Sequence, residues 1–158
     1  MGDHTETLQV DYDPALISYQ ELLEVFWKSH NPFRQPFSRQ YINILFYHNQ
    51  EQEEFARSSK AALEQNRKKS VKTKIVPFAK FYPAEDYHQK YYLQNVPRLI
   101  GEYQVIYSQF QDIIDSSSAA RVNGYIAGYG DAASLEQELE DLGLSSLGAS
   151  ILQNMVQK

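Results

Sequence analysis

The sequence predicts an α+β or α/β sandwich in which two or three short strands alternate with helices. Short apolar or alternating runs are typical of strands, and longer segments carry apolar residues at helical spacing. Pro, Gly and Asn mark the boundaries between them. The chain has 158 residues, of which 42% are hydrophobic. This length fits one domain, or one domain and a tail, and the apolar content is sufficient for a core.

The first predicted strand runs from Thr5 to Tyr12, where polar and apolar side chains alternate. Glu6 falls on the same face as Leu8 and Val10. We expect that face to be buried, and a buried carboxylate is costly unless it has a partner. Glu6 is therefore a candidate site residue, because an apolar setting favours the protonated form of a carboxyl group and makes it a proton donor.

The next segments alternate between helix and strand. Ser18 and Glu21 have the spacing of a capping box, which predicts a helix over residues 19–29. The dense apolar run 41–47, which contains Asn43, is typical of a buried central strand. An amphipathic helix is predicted over the charged segment 50–69 that follows. A short third strand is predicted over residues 74–78, with Pro77 at its end.

Residues 81–92 carry five aromatic side chains. Pro83 suits the turn before a helix, and Glu85 and Asp86 would then lie in its first turn, where the helix dipole favours anions. Tyr87 and Tyr91 would share one helix face. These aromatic residues either pack a core edge or line a site.

The remainder is predicted to be helical, with Ser116–Ser118 as a break. The predicted helices cover residues 98–110, 119–127, a segment capped at Ser134 and stopped at Gly143, and 144–156.

Several of these motifs resemble one known family. Residues 81–92 are similar to the FYPAEDYHQKY segment of the peptide methionine sulfoxide reductase A family. The other similar motifs, in chain order, are Gly2–Glu6, Val10–Pro14, Ile17–Tyr19, Leu22–Trp27, His30–Pro32 and Arg39–Tyr41. The resemblance covers roughly residues 2–97.

The resemblance implies an α+β fold with an incomplete plait-like (ferredoxin-like) sheet and flanking helices. It implies an N-terminally truncated reductase-like domain over residues 1–97 and a helical C-terminal extension over 98–158. In the family, a strand and the helix bearing the nucleophile precede the part that matches. Without that strand we expect an unpaired sheet edge, and marginal stability unless the C-terminal helices or a partner cover it.

The family reaction reduces methionine S-sulfoxide, free or in proteins, to methionine. The resemblance implies that a Cys thiolate in a Gly-Cys-Phe-Trp segment attacks the sulfur, that an acid and tyrosines protonate the oxygen, and that a second thiol resolves the sulfenic acid. This chain contains no Cys. We therefore expect a catalytically silent fragment, isoform or pseudoenzyme. The alternatives are a non-enzymatic module that binds methionine sulfoxide or a protein, and a reductase completed in trans by a partner that bears a thiol.

The resemblance also assigns roles to individual residues. It implies that Glu6 is the catalytic acid and that Tyr41 donates to the sulfoxide oxygen. The positions that it implies to support the pocket are Asp86, Tyr87 and His88.

No cofactor is expected to be bound, since the family uses an external thiol reductant, thioredoxin or dithiothreitol. A metal site is not expected, because His4, Glu6, Asp86 and His88 follow no known ligand spacing. The net charge of −5 disfavours nonspecific binding to nucleic acid or an anionic membrane. The sequence has no apolar run near the roughly 20 residues that span a bilayer, and its polar N-terminus is unlike a signal peptide. We expect a cytoplasmic protein.

Overall fold

The computed structural model describes residues 4–157 and divides the chain into two compact units, with the boundary between Phe81 and Tyr82. Residues 1–3 and 158, which include the start of the Gly2–Glu6 motif, lie outside the described part. The chain is rich in helix and has a small sheet, which is consistent with the predicted α+β class. The plait-like arrangement and the domain boundary after residue 97 stay predictions.

The first unit combines one small parallel sheet with two helices. Its elements are α1 (Tyr19–Lys28), β1 (Ile44–Tyr47), α2 (Gln50–Arg67) and β2 (Lys74–Pro77). The two strands are parallel, with Leu45 opposite Ile75. Helix α2 connects them and packs on both, and α1 packs on α2. The buried centre of this packing is small and consists of Leu23, Leu45 and Ala56 with half-buried neighbours.

Both helices of this unit begin where the local sequence predicts. The Ser18 hydroxyl accepts the N–H of Glu21 at 3.3 Å, and the Glu21 carboxylate accepts the N–H of Ser18 at 2.8 Å, which confirms the capping box. Asn49 caps α2 by accepting the N–H of Gln52 at 2.9 Å. Helix α2 stops at Lys68, which adopts the left-handed conformation with φ of 49°.

The segment that leads into β2 is tied to α1 and α2 by polar side chains. His30, just after α1, places one ring nitrogen 2.8 Å from the carbonyl oxygen of Phe26 and the other 2.9 Å from the hydroxyl of Thr73. Thr73 is fully buried, and its carbonyl accepts the ammonium of Lys60 at 2.8 Å. These bonds attach the segment to both helices of a unit whose apolar core is small.

The predicted strand over residues 5–12 is wrong, because the structure has no strand there. Leu8 is 85% exposed, and Glu6 is exposed rather than on a buried face. Alternating side chains predict an apolar face, but a β-strand also needs an adjacent strand to which its backbone can hydrogen-bond. In the described sheet, β1 and β2 pair with each other. The strand predicted over residues 41–47 is shorter in the structure, where β1 covers Ile44–Tyr47. It is not a central strand, because the described sheet has two strands.

The second unit is helical and holds the larger core. Its helices are α3 (Tyr91–Gln94), α4 (Pro97–Ile106), α5 (Phe110–Asp115), α6 (Ser117–Ile126), α7 (Ala132–Glu138) and α8 (Ser146–Val156), with 3-10 turns at Asp86–His88 and Leu139–Leu142. The buried residues of the core are Leu93, Leu99, Ile100, Tyr103, Ile113, Ala119, Val122, Tyr125, Leu135, Leu142 and Leu152. Each helix within residues 4–157 is too short or too polar to cross a bilayer.

Two predicted helices in this unit are corrected. The single helix expected after Pro83 is instead the 3-10 turn followed by α3, because Lys90 between them is left-handed with φ of 47°. The helix expected over residues 98–110 ends at Ile106, because Tyr107 is extended, and Phe110 begins α5.

The caps of α6 and α7 also differ from the prediction. The predicted break at Ser116–Ser118 is confined to Ser116, which is extended between α5 and α6; its hydroxyl accepts the N–H of Ala119 at 3.1 Å and starts α6. Asp131, rather than Ser134, caps α7, and its carboxylate accepts the N–H of Ser134 at 2.8 Å. Gly143 ends the following turn as predicted, with φ of 67°.

Candidate functional site

The structure brings the segment of Glu6 next to the turn of Tyr41. The N–H of Glu6 donates to the carbonyl of Gln40 at 2.9 Å, and Nε2 of Gln40 donates to Oε1 of Glu6 at 2.7 Å. The Thr5 hydroxyl donates to the carbonyl of Arg39 at 3.2 Å. Tyr41 follows Gln40 directly and is the last residue of the 3-10 turn Arg39–Tyr41. The candidate acid and the candidate tyrosine are therefore anchored on the same short turn.

The loop before this turn is held by two amide side chains. The carbonyl of the Gln35 side chain accepts the N–H of Asn43 at 2.8 Å, and its Nε2 donates to the carbonyls of Asn43 and Lys72 at 3.1 and 2.8 Å. Nδ2 of Asn43 donates to the carbonyls of Asn31 and Arg34 at 3.1 and 2.8 Å. The loop is thus attached to the start of β1 and to the segment before β2.

Sequence reasoning missed the positioning roles of Gln35, Gln40 and Asn43. The available signal was Asn43, a polar residue inside an apolar run, because such a residue needs partners for its amide. Gln35 and Gln40 lie outside any regular apolar run, so the sequence gave no comparable signal for them.

The site is open to solvent. Glu6 is exposed, and the side chain of Tyr41 is 56% exposed. Among the described residues, Gln40 provides the side-chain hydrogen bond to the Glu6 carboxylate. A carboxyl group and a phenol can both donate hydrogen bonds to an oxygen acceptor. Neither can act as the soft nucleophile that sulfur chemistry needs, and the 158 residues contain no Cys.

Asp86, Tyr87 and His88 form a 3-10 turn in the second unit, and all three are exposed. Nε2 of Gln94 donates to the carbonyls of Asp86 and Gln89 at 2.7 and 2.5 Å, which holds the turn against α3. The rings of Tyr87 and His88 are in contact, with centroids 4.3 Å apart. Their predicted support of a pocket stays a prediction.

Metal chemistry has no candidate in the described part of the chain. Across residues 4–157, no three His, Asp or Glu side chains are grouped so that they could hold an ion. The functional groups that the structure offers at Glu6 and Tyr41 are thus proton donors and acceptors.

These features define a class, a helix-rich α+β protein whose candidate site has a phenol on a short turn and a carboxyl group hydrogen-bonded to that turn. Comparison with known proteins gives the family. The family model described as peptide methionine sulfoxide reductase matches residues 1–121. A second model, described as the helical domain of selenoprotein methionine sulfoxide reductase A, matches residues 111–156. The chain belongs to the peptide methionine sulfoxide reductase family.

Curated relatives carry the same name. A peptide methionine sulfoxide reductase of Drosophila melanogaster is 40% identical over 147 residues, which are 92% of this chain and 58% of the relative. One from Methanosarcina acetivorans is 43% identical over 107 residues, 60% of this chain and 57% of the relative. Peptide methionine sulfoxide reductase A5 of Oryza sativa subsp. japonica is 38% identical over 137 residues, 80% of this chain and 52% of the relative. The chain therefore spans about half the length of these relatives.

Proposed function

We propose that this chain takes part in the reduction of methionine sulfoxide by holding the sulfoxide oxygen, and that its 158 residues are catalytically silent by themselves. The observation that carries the proposal is the attachment of Glu6 to Gln40, immediately before Tyr41. Membership of the family supports the substrate class. The absence of Cys from the sequence supports the silence.

The reaction needs both a proton donor and a thiol, and we assign only the proton donor to this chain. A thiol and a sulfoxide give a sulfenic acid and a sulfide, so one oxygen passes from the substrate sulfur to the thiol sulfur. The oxygen gains negative charge as its bond to the substrate sulfur breaks, and a proton donor stabilises that charge. Glu6 and Tyr41 would supply the proton. The thiol must come from outside these 158 residues.

The proposal has a direct binding test. Isotope-labelled protein is titrated with N-acetylmethionine sulfoxide, and the backbone amide resonances of Glu6, Gln40 and Tyr41 are followed by NMR. We expect these resonances to move, and we expect reduced N-acetylmethionine, which lacks the oxygen, to leave them in place. Equal responses to both compounds, or no response to either, would show that the site does not recognise the sulfoxide oxygen.

Variants separate the two donors. Glu6→Met, which keeps the length of the side chain but has no donor, and Tyr41→Phe should each weaken sulfoxide binding about fivefold, the factor that corresponds to one typical hydrogen bond. Tyr129→Phe is the matched control, because Tyr129 is 75% exposed in the second unit. Equal affinity in all three variants would contradict the assigned roles.

The remaining expectations belong to this proposal. The reductant would be an external thiol, thioredoxin or dithiothreitol, which would regenerate the thiol from its sulfenic acid. Asp86, Tyr87 and His88 would support the pocket. A cytoplasmic location and the absence of a nucleic-acid partner are predictions of the same kind.

A further inference from the structure

The hydrogen bond between Gln40 and Glu6 distinguishes the two oxygens of the candidate acid. Nε2 of Gln40 is a donor, so Oε1 of Glu6 accepts, at 2.7 Å. In a protonated carboxyl group, one oxygen carries the proton and the other remains an acceptor. The oxygen that accepts from an N–H group is the acceptor oxygen. If the Glu6 carboxyl group carries a proton while this contact is in place, that proton therefore has its place on Oε2.

The backbone strengthens the same contact. The N–H of Glu6 donates back to the carbonyl of Gln40 at 2.9 Å, so the two residues are joined by reciprocal bonds. The neighbouring residues are also bonded to each other, since the Thr5 hydroxyl donates to the carbonyl of Arg39. Glu6 lies on an exposed segment without a strand, where an unattached side chain would sample several rotamers. Gln40 therefore supplies the order that burial does not provide.

We propose that Gln40 is a positioning residue, which holds Oε1 of Glu6 so that Oε2 is left to face the oxygen of a sulfoxide. The inference rests on the proposed function and adds the residue that orients its candidate acid. Gln40 acts through Glu6 and does not itself touch the ligand.

A double-mutant cycle tests whether Gln40 acts through Glu6. Gln40→Met keeps the length of the side chain and removes its donor, and Glu6→Met does the same for the candidate acid. Each single variant should weaken binding of N-acetylmethionine sulfoxide about fivefold, and the double variant should bind no more weakly than Glu6→Met. A double variant weakened about 25-fold, the product of two independent losses, would overturn the inference. Gln104→Met, at an exposed position of α4, is the matched control.

A second readout needs no ligand. The side-chain amide resonance of Gln40 should move in Glu6→Ala, because its acceptor is lost, whereas that of Gln104 should not. An unmoved Gln40 resonance would overturn the inference whatever the binding data show. If that resonance moves but the wild-type protein ignores the sulfoxide, the proposed function fails together with the role of Oε2. The contact between Gln40 and Glu6 would then stand as a structural bond.

Discussion

Tyr125 on α6 is the residue whose ionisation is most clearly altered by its surroundings. Its side chain is 7% exposed, and its hydroxyl donates to Glu138 on α7. Arg121 pairs with the other oxygen of the same carboxylate at 3.1 Å. Burial, and next the hydrogen bond to Glu138, raise the pKa of Tyr125 from 10.0 to about 12. The neutral phenol is thus the form that the folded protein favours.

The stability contributed by Tyr125 should depend on pH. Because the folded pKa is raised, this contribution is complete below pH 10 and is lost as the pH rises from about 10 to 12. Below pH 10 we expect Tyr125→Phe to lower the free energy of unfolding by about 1.5–3 kcal/mol, the range for a hydrogen bond to a charged group. The difference from wild type should shrink above pH 10, as measured by urea unfolding at several pH values.

Tyr129→Phe serves as the control, since this tyrosine is exposed on the same unit. A stability difference for Tyr125→Phe that stays constant from pH 8 to 12 would contradict the account. So would an equal loss in the control.

At the scale of elements, local signals predicted three boundaries correctly. Helix α1 begins after its capping box, α2 begins at Gln50, and β2 ends at Pro77. The strand predicted over residues 5–12 depended on a distant partner, which a local pattern does not reveal. The turn of Tyr41 likewise depends on bonds between residues that are separated in the sequence. Glu6 is bonded to Gln40, 34 residues away, and Gln35 is bonded to Asn43, 8 residues away. The alternating pattern singled out Glu6, and the resemblance assigned the roles of Glu6 and Tyr41. The exposure of both residues was not predicted and is seen only in the structure.

The connection between α6 and α7 offers a matched pair of glycines. Gly128 and Gly130 have φ of 85° and 89°, a region that side chains rarely adopt. A Cβ at Gly128 would meet open space, whereas at Gly130 it would lie 2.6 Å from the ring of Tyr125. Both Ala variants should lose about 1–2 kcal/mol to the backbone conformation, and Gly130→Ala should lose about 1–3 kcal/mol more through overpacking.

Thermal unfolding of the two variants measures this difference. The melting temperature of Gly130→Ala should lie below that of Gly128→Ala. Equal melting temperatures would mean that the ring of Tyr125 moves aside freely, despite its burial and its bond to Glu138.

At the scale of the whole molecule, the two units differ in how much they bury. The described core of the second unit contains eleven buried residues, and the cluster around β1 and the two helices of the first unit contains three. Apolar burial is the main favourable contribution to folding. The first unit relies more on polar attachments such as those of His30 and Gln35.

Hydrogen exchange should therefore separate the units. We expect amides in α4, α6 and α8 to exchange at least about tenfold more slowly than those in β1 and α2, because local opening costs less where fewer apolar contacts break. Mass spectrometry of exchanged peptides would measure this. Equal protection in both units would show that the polar attachments stabilise the first unit as well as a larger core would.

The central claim is that these residues hold the proton donors of sulfoxide reduction without the nucleophile. It is tested most directly by turnover of N-acetylmethionine S-sulfoxide by the purified chain with excess dithiothreitol, with a Cys-containing family member as positive control. We predict that methionine forms no faster than in dithiothreitol alone. Turnover above that background, abolished by Glu6→Gln, would contradict the claim.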